Sequence, residues 1–149
     1  MDNLATFDPA RLASTIASFH LATLKDETCL CQVDNQPANI LQDGQRYYMV
    51  DFGDSIRDFP ELDVTHLMLF WAADFPRSLF TDSCRCFLDA YIQYFTIKDT
   101  RWQYYLKHNI IAFDERRNKY KKPGGMNPPD IQQSNRQYLH DYSFTKKNR

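Results

Sequence analysis

The chain has 149 residues, 43% of them hydrophobic and 25% charged, which suits one domain with a sizeable core and leaves little room for a second. Eleven Phe and nine Tyr against four Gly exclude wholesale disorder, collagen-like repeats and low-complexity linkers over most of its length. The net charge of −1 conceals a division: residues 1–113 carry 9 basic and 15 acidic groups, and residues 114–149 carry 9 and 4.

No apolar run reaches the ~18 residues of a membrane span. The N-terminus has Asp2 and Asp8 rather than a basic stretch leading into an apolar one, so no secretory signal is expected and the protein is expected to be cytoplasmic.

In chain order, residues 9–24 predict a helix, with Asp8 as cap, Pro9 in the first turn, and Leu12, Ile16, Phe19 and Leu24 on one stripe. His20 lies among these apolar residues and is expected to be a packed core histidine. Residues 29–33 (CLCQV) predict a short strand, followed by a polar loop from Asp34 to Asn39. Residues 40–51 predict a small hairpin around the Asp43-Gly44 turn signal. A loop runs on through Pro60.

Residues 62–73 (LDVTHLMLFWAA) are apolar on nearly all sides and predict a central buried helix, in which Asp63 and His66 need polar partners. Further helices are predicted over 78–96, roughly 100–120 and 130–143, with frayed residues at the end. Pro123-Gly124-Gly125 and Asn127-Pro128-Pro129 break the pattern, which divides the chain into a body, 1–122, and a basic tail, 123–149.

The four cysteines form two C-x-C pairs, Cys29/Cys31 and Cys84/Cys86. Structural zinc sites favour C-x₂₋₄-C spacing, so these are expected to be reduced residues, with Cys29 and Cys31 on one strand face. The basic segment 116–122 (RRNKYKK) suits an anionic partner or a fold-back onto the acidic body. Nucleic acid is the weaker expectation, because single-strand grooves pair several aromatics with the basic track. The basic tail is also the segment suited to peripheral membrane contact.

Two carboxylates and an amide stand out by position. Asp34 opens the polar loop, Asn39 closes it, and Asp51 ends the hairpin. A hairpin that returns its second strand to the loop brings the three together. Mg²⁺ favours hard oxygen ligands, typically one or two carboxylates with phosphates and water. A further Asp held off the metal can orient a hydroxyl and accept its proton.

Asp34-x₄-Asn39-Ile40-Leu41 followed by Val50-Asp51-Phe52-Gly53 resembles the catalytic loop and D-F-G motif of the protein-kinase-like superfamily. Pro37, Asp54 and Glu61-Leu62-Asp63 point within it to small-molecule branches: the aminoglycoside and choline phosphotransferases and the lipopolysaccharide (Kdo-type) kinases. The resemblance covers about residues 9–95. It implies an α+β, mostly helical fold like a kinase C-terminal lobe with a small β-hairpin. It also implies Asp34 as catalytic base, Asn39 and Asp51 as ligands of Mg²⁺ bound with ATP, Asp63 as a brace of the catalytic loop, and Phe52 and Gly53 as the remaining D-F-G members. Gln32 stands where the family carries His.

Before residue 29 there is no glycine-rich loop and no strand lysine, so the small nucleotide-binding lobe is expected to be absent. The implied function is Mg²⁺–ATP-dependent phosphoryl transfer to a hydroxyl of a small molecule or glycolipid sugar, completed by a small-lobe partner protein. The alternative is a non-catalytic, pseudokinase-like binding or oligomerisation module, with a homodimer as its simplest form. The acidic body argues for a cationic acceptor and the basic tail for a phosphorylated one.

Overall fold

The computed structural model describes residues 6–120 and 125–145. Lys121, Lys122, Pro123 and Gly124 of the basic segment and break, and residues 146–149 of the tail, lie outside the described residues. The fold is α+β and mostly helical. In chain order it runs α1 (Pro9–Ala22), β1 (Cys29–Cys31), a 3₁₀ turn (Pro37–Asn39), β2 (Ile40–Asp43), β3 (Arg46–Met49), β4 (Ile56–Asp58), α2 (Glu61–Asp74), α3 (Arg77–Tyr91), α4 (Asp99–Lys119) and α5 (Pro129–Asp141).

Helix α2 is the centre. Twelve of its 14 residues are buried, because α3, α4 and α5 pack around it and leave little of its surface to solvent. Helix α1 starts at an Asp8 cap, whose carboxylate accepts from the Arg11 backbone N–H at 3.1 Å, and packs along α3. It ends two residues short of Leu24, which is exposed rather than part of the buried stripe. Between these helices an aromatic ladder, Phe87, Tyr91 and Phe95, stacks at 5.9 and 5.4 Å.

Two small antiparallel sheets carry the loops. The hairpin β2–β3 pairs Ile40 with Met49 and Asp43 with Arg46, and Gly44 takes the left-handed conformation (φ 60°) its two-residue turn requires. The second sheet pairs β1 with β4, Cys29 opposite Asp58 and Cys31 opposite Ile56. Strand β4 corrects the expectation of a plain loop through Pro60. Its three residues show no alternation of their own, and their pairing partner lies 27 positions upstream. Cys29 and Cys31 share the buried face of β1, while Cys84 is buried and Cys86 exposed.

Residues 125–145, set apart in the sequence by the Pro/Gly break, return to the body. The last carbonyls of a helix lack intrahelical donors. Those near the end of α2, Ala72 and Phe75, accept from the side-chain amides of both Asn127 and Asn135. Trp102 of α4 donates its indole N–H to Leu139 O at 2.8 Å. Helix α3 is shorter than expected and stops at Tyr91.

Candidate functional site

The site begins with a strained turn. Val33 has φ 71° and Asp51 φ 61°, left-handed values that are a genuine outlier for a β-branched residue and cost ~1–3 kcal/mol where they occur. Buried Asp63, in the first turn of α2, holds the first of them. Its Oδ2 accepts the Gln32 backbone N–H at 2.8 Å and its Oδ1 accepts the Val33 N–H at 2.9 Å. His20 completes the brace, with Nε2 2.9 Å from Asp63 Oδ2 and Nδ1 2.8 Å from the Tyr91 hydroxyl.

Gln32 is fully buried, and its side-chain amide donates to Val50 O at 2.5 Å. The N–H of Val50 is taken by Asn39 O at 2.9 Å. The peptide groups just before Asp51 are therefore gripped from two points on the Asp34 loop. Asn39 also donates its side-chain N–H to Asp34 O at 3.0 Å, which commits the amide nitrogen inward and leaves the amide oxygen as an acceptor. Asp34 and Asn39 are thus joined directly, and Asp51 is delivered to them through Val50. Its side chain is exposed.

Phe52 anchors the turn after Asp51, its ring 5.0 Å from that of Phe19 on α1. The Gly53 N–H lies 3.4 Å from Asp51 Oδ1. A Cβ at position 53 would meet only that same oxygen at 3.4 Å, an ordinary contact, so the local geometry makes no steric demand for glycine there.

On its other side Asp34 faces a cavity of about 650 Å³ between the loop, α2 and α4, whose lining includes neither Asn39 nor Asp51. Asp34 Oδ2 accepts from the Gln36 side-chain amide at 3.1 Å. Its Oδ1 is shielded from solvent and has no hydrogen-bond partner; Arg116 Nη1 stands 3.9 Å away, beyond hydrogen-bond reach. His66 lies in the cavity wall, its Nδ1 3.3 Å from the Asn35 amide and its ring 5.1 Å from that of Phe70. Burial, more than any charge, pulls the His66 pKa down to about 4, so the ring is neutral near pH 7.

Arg116 and His66 are the members of this neighbourhood that motif reading passed over. In the sequence His66 is a polar group on an apolar helix and Arg116 part of a basic run. A second cluster, His20, Cys29 and Cys31, has ligand atoms within 4.8 Å of one another, but it is wholly buried and both His20 nitrogens are already engaged.

The residue types on the Asn39–Asp51 side, an amide oxygen and an exposed carboxylate, suit a hard divalent cation. Asp34, partly exposed at the cavity wall, carries a carboxylate of the kind that accepts a proton from a hydroxyl. Comparisons with protein-family models, curated proteins and solved structures find no match for this chain.

Proposed function

We propose that this chain is a kinase-like phosphotransferase lobe, acting on Mg²⁺–ATP and a hydroxylated small molecule or glycolipid sugar. The observation that carries the reading is the double grip on Val50. It ties the backbone just before Asp51 to Gln32 and Asn39, Asn39 is bonded in turn to the Asp34 backbone, and Asp34 lines an open cavity. The order of elements adds support: a helix, a strand, the Asp34 loop, a hairpin, the Asp51 turn, and a strand that pairs back with the first.

Asn39 Oδ1 and Asp51 would hold the magnesium ion, which supplies neutralisation of phosphate charge. Asp34 would orient the acceptor hydroxyl and take its proton as the hydroxyl oxygen bonds to the γ-phosphorus. The bridging P–O bond breaks, and ADP leaves with its electron pair. Positioning and electrostatics do most of this work. The clamp on the adenine and the α- and β-phosphates would come from outside the described residues, from a partner chain or a further segment.

The test uses Mn²⁺ in place of Mg²⁺. In equilibrium dialysis of Mn²⁺–ATP the protein compartment should hold an excess of Mn²⁺ over the protein-free compartment, and Asn39→Ala or Asp51→Asn should abolish that excess. Equal binding by both variants contradicts the assignment.

One observation favours a second reading, a non-catalytic module that binds a partner or a second copy. Leu41 and Tyr48, directly paired across the hairpin, are both exposed, at 51% and 45%. Sedimentation decides whether that face self-associates: a dimer broken by Leu41→Gln supports the module, and a strict monomer counts against its homodimeric form.

A further inference from the structure

We propose that His20, Cys29 and Cys31 form a structural metal site for zinc, which pins helix α1 to strand β1 at the base of the Asp34 loop. The site is distinct from the cation ligands at Asn39 and Asp51 and does not depend on the phosphotransferase reading.

Strand geometry brings the two thiols together. Side chains two apart on a strand point to one face, and the sulfurs of Cys29 and Cys31 lie 4.0 Å apart. With Zn–S bonds of about 2.3 Å, tetrahedral ligation separates two sulfurs by roughly 3.8 Å. A C-x-C pair on a strand thus achieves what the commoner C-x₂₋₄-C spacing achieves elsewhere. One ligand atom of His20 and the two sulfurs all lie within 4.8 Å of one another. Closing that triangle to ligand spacing takes a shift of about 1 Å.

The contacts that engage His20 suit a ligand rather than exclude one. A ligating imidazole commonly donates its other ring N–H to a carboxylate. Nε2 lies 2.9 Å from Asp63 Oδ2, which leaves Nδ1 for the ion. Nδ1 meets the Tyr91 hydroxyl at 2.8 Å, and that oxygen becomes the fourth donor once its hydrogen turns away. Cys31 gives up a weak thiol contact with Phe59 O at 3.5 Å.

The charges also balance. Binding sends two thiol protons to solvent, and the two thiolates neutralise the doubly charged ion beside a neutral imidazole. Thiolate and imidazole together favour zinc over magnesium or calcium. All three residues are fully buried, as suits a closed structural site that takes its ion as the chain folds. The ion would act on the loop through β1, which ends where Gln32 and Val33 give their N–H groups to Asp63.

The test refolds the full, untagged chain from urea under a phosphine reductant with Zn²⁺, Co²⁺ or a chelator, and then desalts it. We expect one zinc ion per chain by elemental analysis and a higher melting temperature than in the chelator-refolded protein. Cobalt should give the intense visible absorption of a tetrahedral site together with thiolate charge-transfer bands. Cys29→Ala and Cys31→Ala should weaken binding by more than the ~10–100-fold that removing a group behind a ligand costs. The double variant Cys84→Ala/Cys86→Ala leaves Cys29 and Cys31 as the chain's only cysteines and should bind as the wild type does.

A wild type that takes up no ion, a cobalt spectrum without thiolate bands, or undiminished binding in Cys29→Ala overturns the proposal. Where Cys29→Ala and Cys31→Ala fail to fold, the double variant decides: cobalt bands kept there uphold the site, and bands lost there overturn it.

Discussion

The side chain of Gln32 donates to the main-chain oxygen of Val50 over 2.5 Å, joining the end of one strand segment to the residue before Asp51. An amide serves here because it reaches a carbonyl oxygen without needing a charge. Removing it strands a half-buried carbonyl. Gln32→Ala should cost ~1–3 kcal/mol of stability. Gln32→Glu should cost more, since it replaces a donor with a carboxylate facing a carbonyl. Urea unfolding of both variants checks the order.

Asp63 is the residue on which the loop's geometry depends most. Its two oxygens serve the Gln32 and Val33 N–H groups and His20, and Val33 keeps a left-handed conformation as a result. Asp63→Ala leaves the Gln32 and Val33 N–H groups without an acceptor and His20 without its carboxylate partner, and should destabilise the fold by more than ~3 kcal/mol. Asp63→Asn keeps the shape and one acceptor oxygen, so it should fall between wild type and Asp63→Ala in the same titration.

His66 gives a pH dependence with a defined sign. Burial lowers its pKa from 6.5 to about 4, so between those values the unfolded chain binds a proton that the folded chain does not. The stabilising share of this group is therefore present above about pH 6.5 and lost as pH falls towards 4, on the order of 3 kcal/mol at most. Stability measured from pH 7 to 4 should drop less steeply in His66→Gln. Parallel curves for the two proteins would contradict the assignment.

Two glycines should behave oppositely. A Cβ on Gly125 would lie 2.5 Å from Ala73 O, and its φ of 98° is hostile to any side chain. At Gly53 a Cβ meets only an ordinary contact. Gly125→Ala should lower the melting temperature clearly, by ~1–3 kcal/mol of stability, and Gly53→Ala should leave it nearly unchanged.

The contrast between these glycines shows where sequence reading succeeds and where it stops. Local pattern locates the five α-helices of the described residues, because each has a capping or breaking residue at an end or a long apolar repeat. It also located the hairpin, because Asp43-Gly44 is a turn in its own right. The links of Asn39 to the Asp34 backbone and to Val50 beside Asp51 arise within 18 residues of loop and hairpin. Long-range features were not readable. Strand β4 exists only because Cys29–Cys31 pairs with it. Arg116 reaches Asp34 from 82 residues away, along a helix whose basic end reads as a solvated run. Asn135 looks like a surface residue, yet it is fully buried and holds carbonyls near the end of α2. In each case the partner, not the residue, determines the role.

The most direct test of the central claim is thermal unfolding of the full chain with and without Mg²⁺–ATP, with Asp51→Asn alongside. Asp51 is exposed, so the variant should fold normally and unfold at the wild-type temperature without ligand. At a hundred times the dissociation constant a ligand adds about 2.7 kcal/mol to folding. The account predicts a magnesium-dependent rise in melting temperature for the wild type and none for Asp51→Asn. Equal rises in both proteins, or none in either at millimolar ATP, would contradict it.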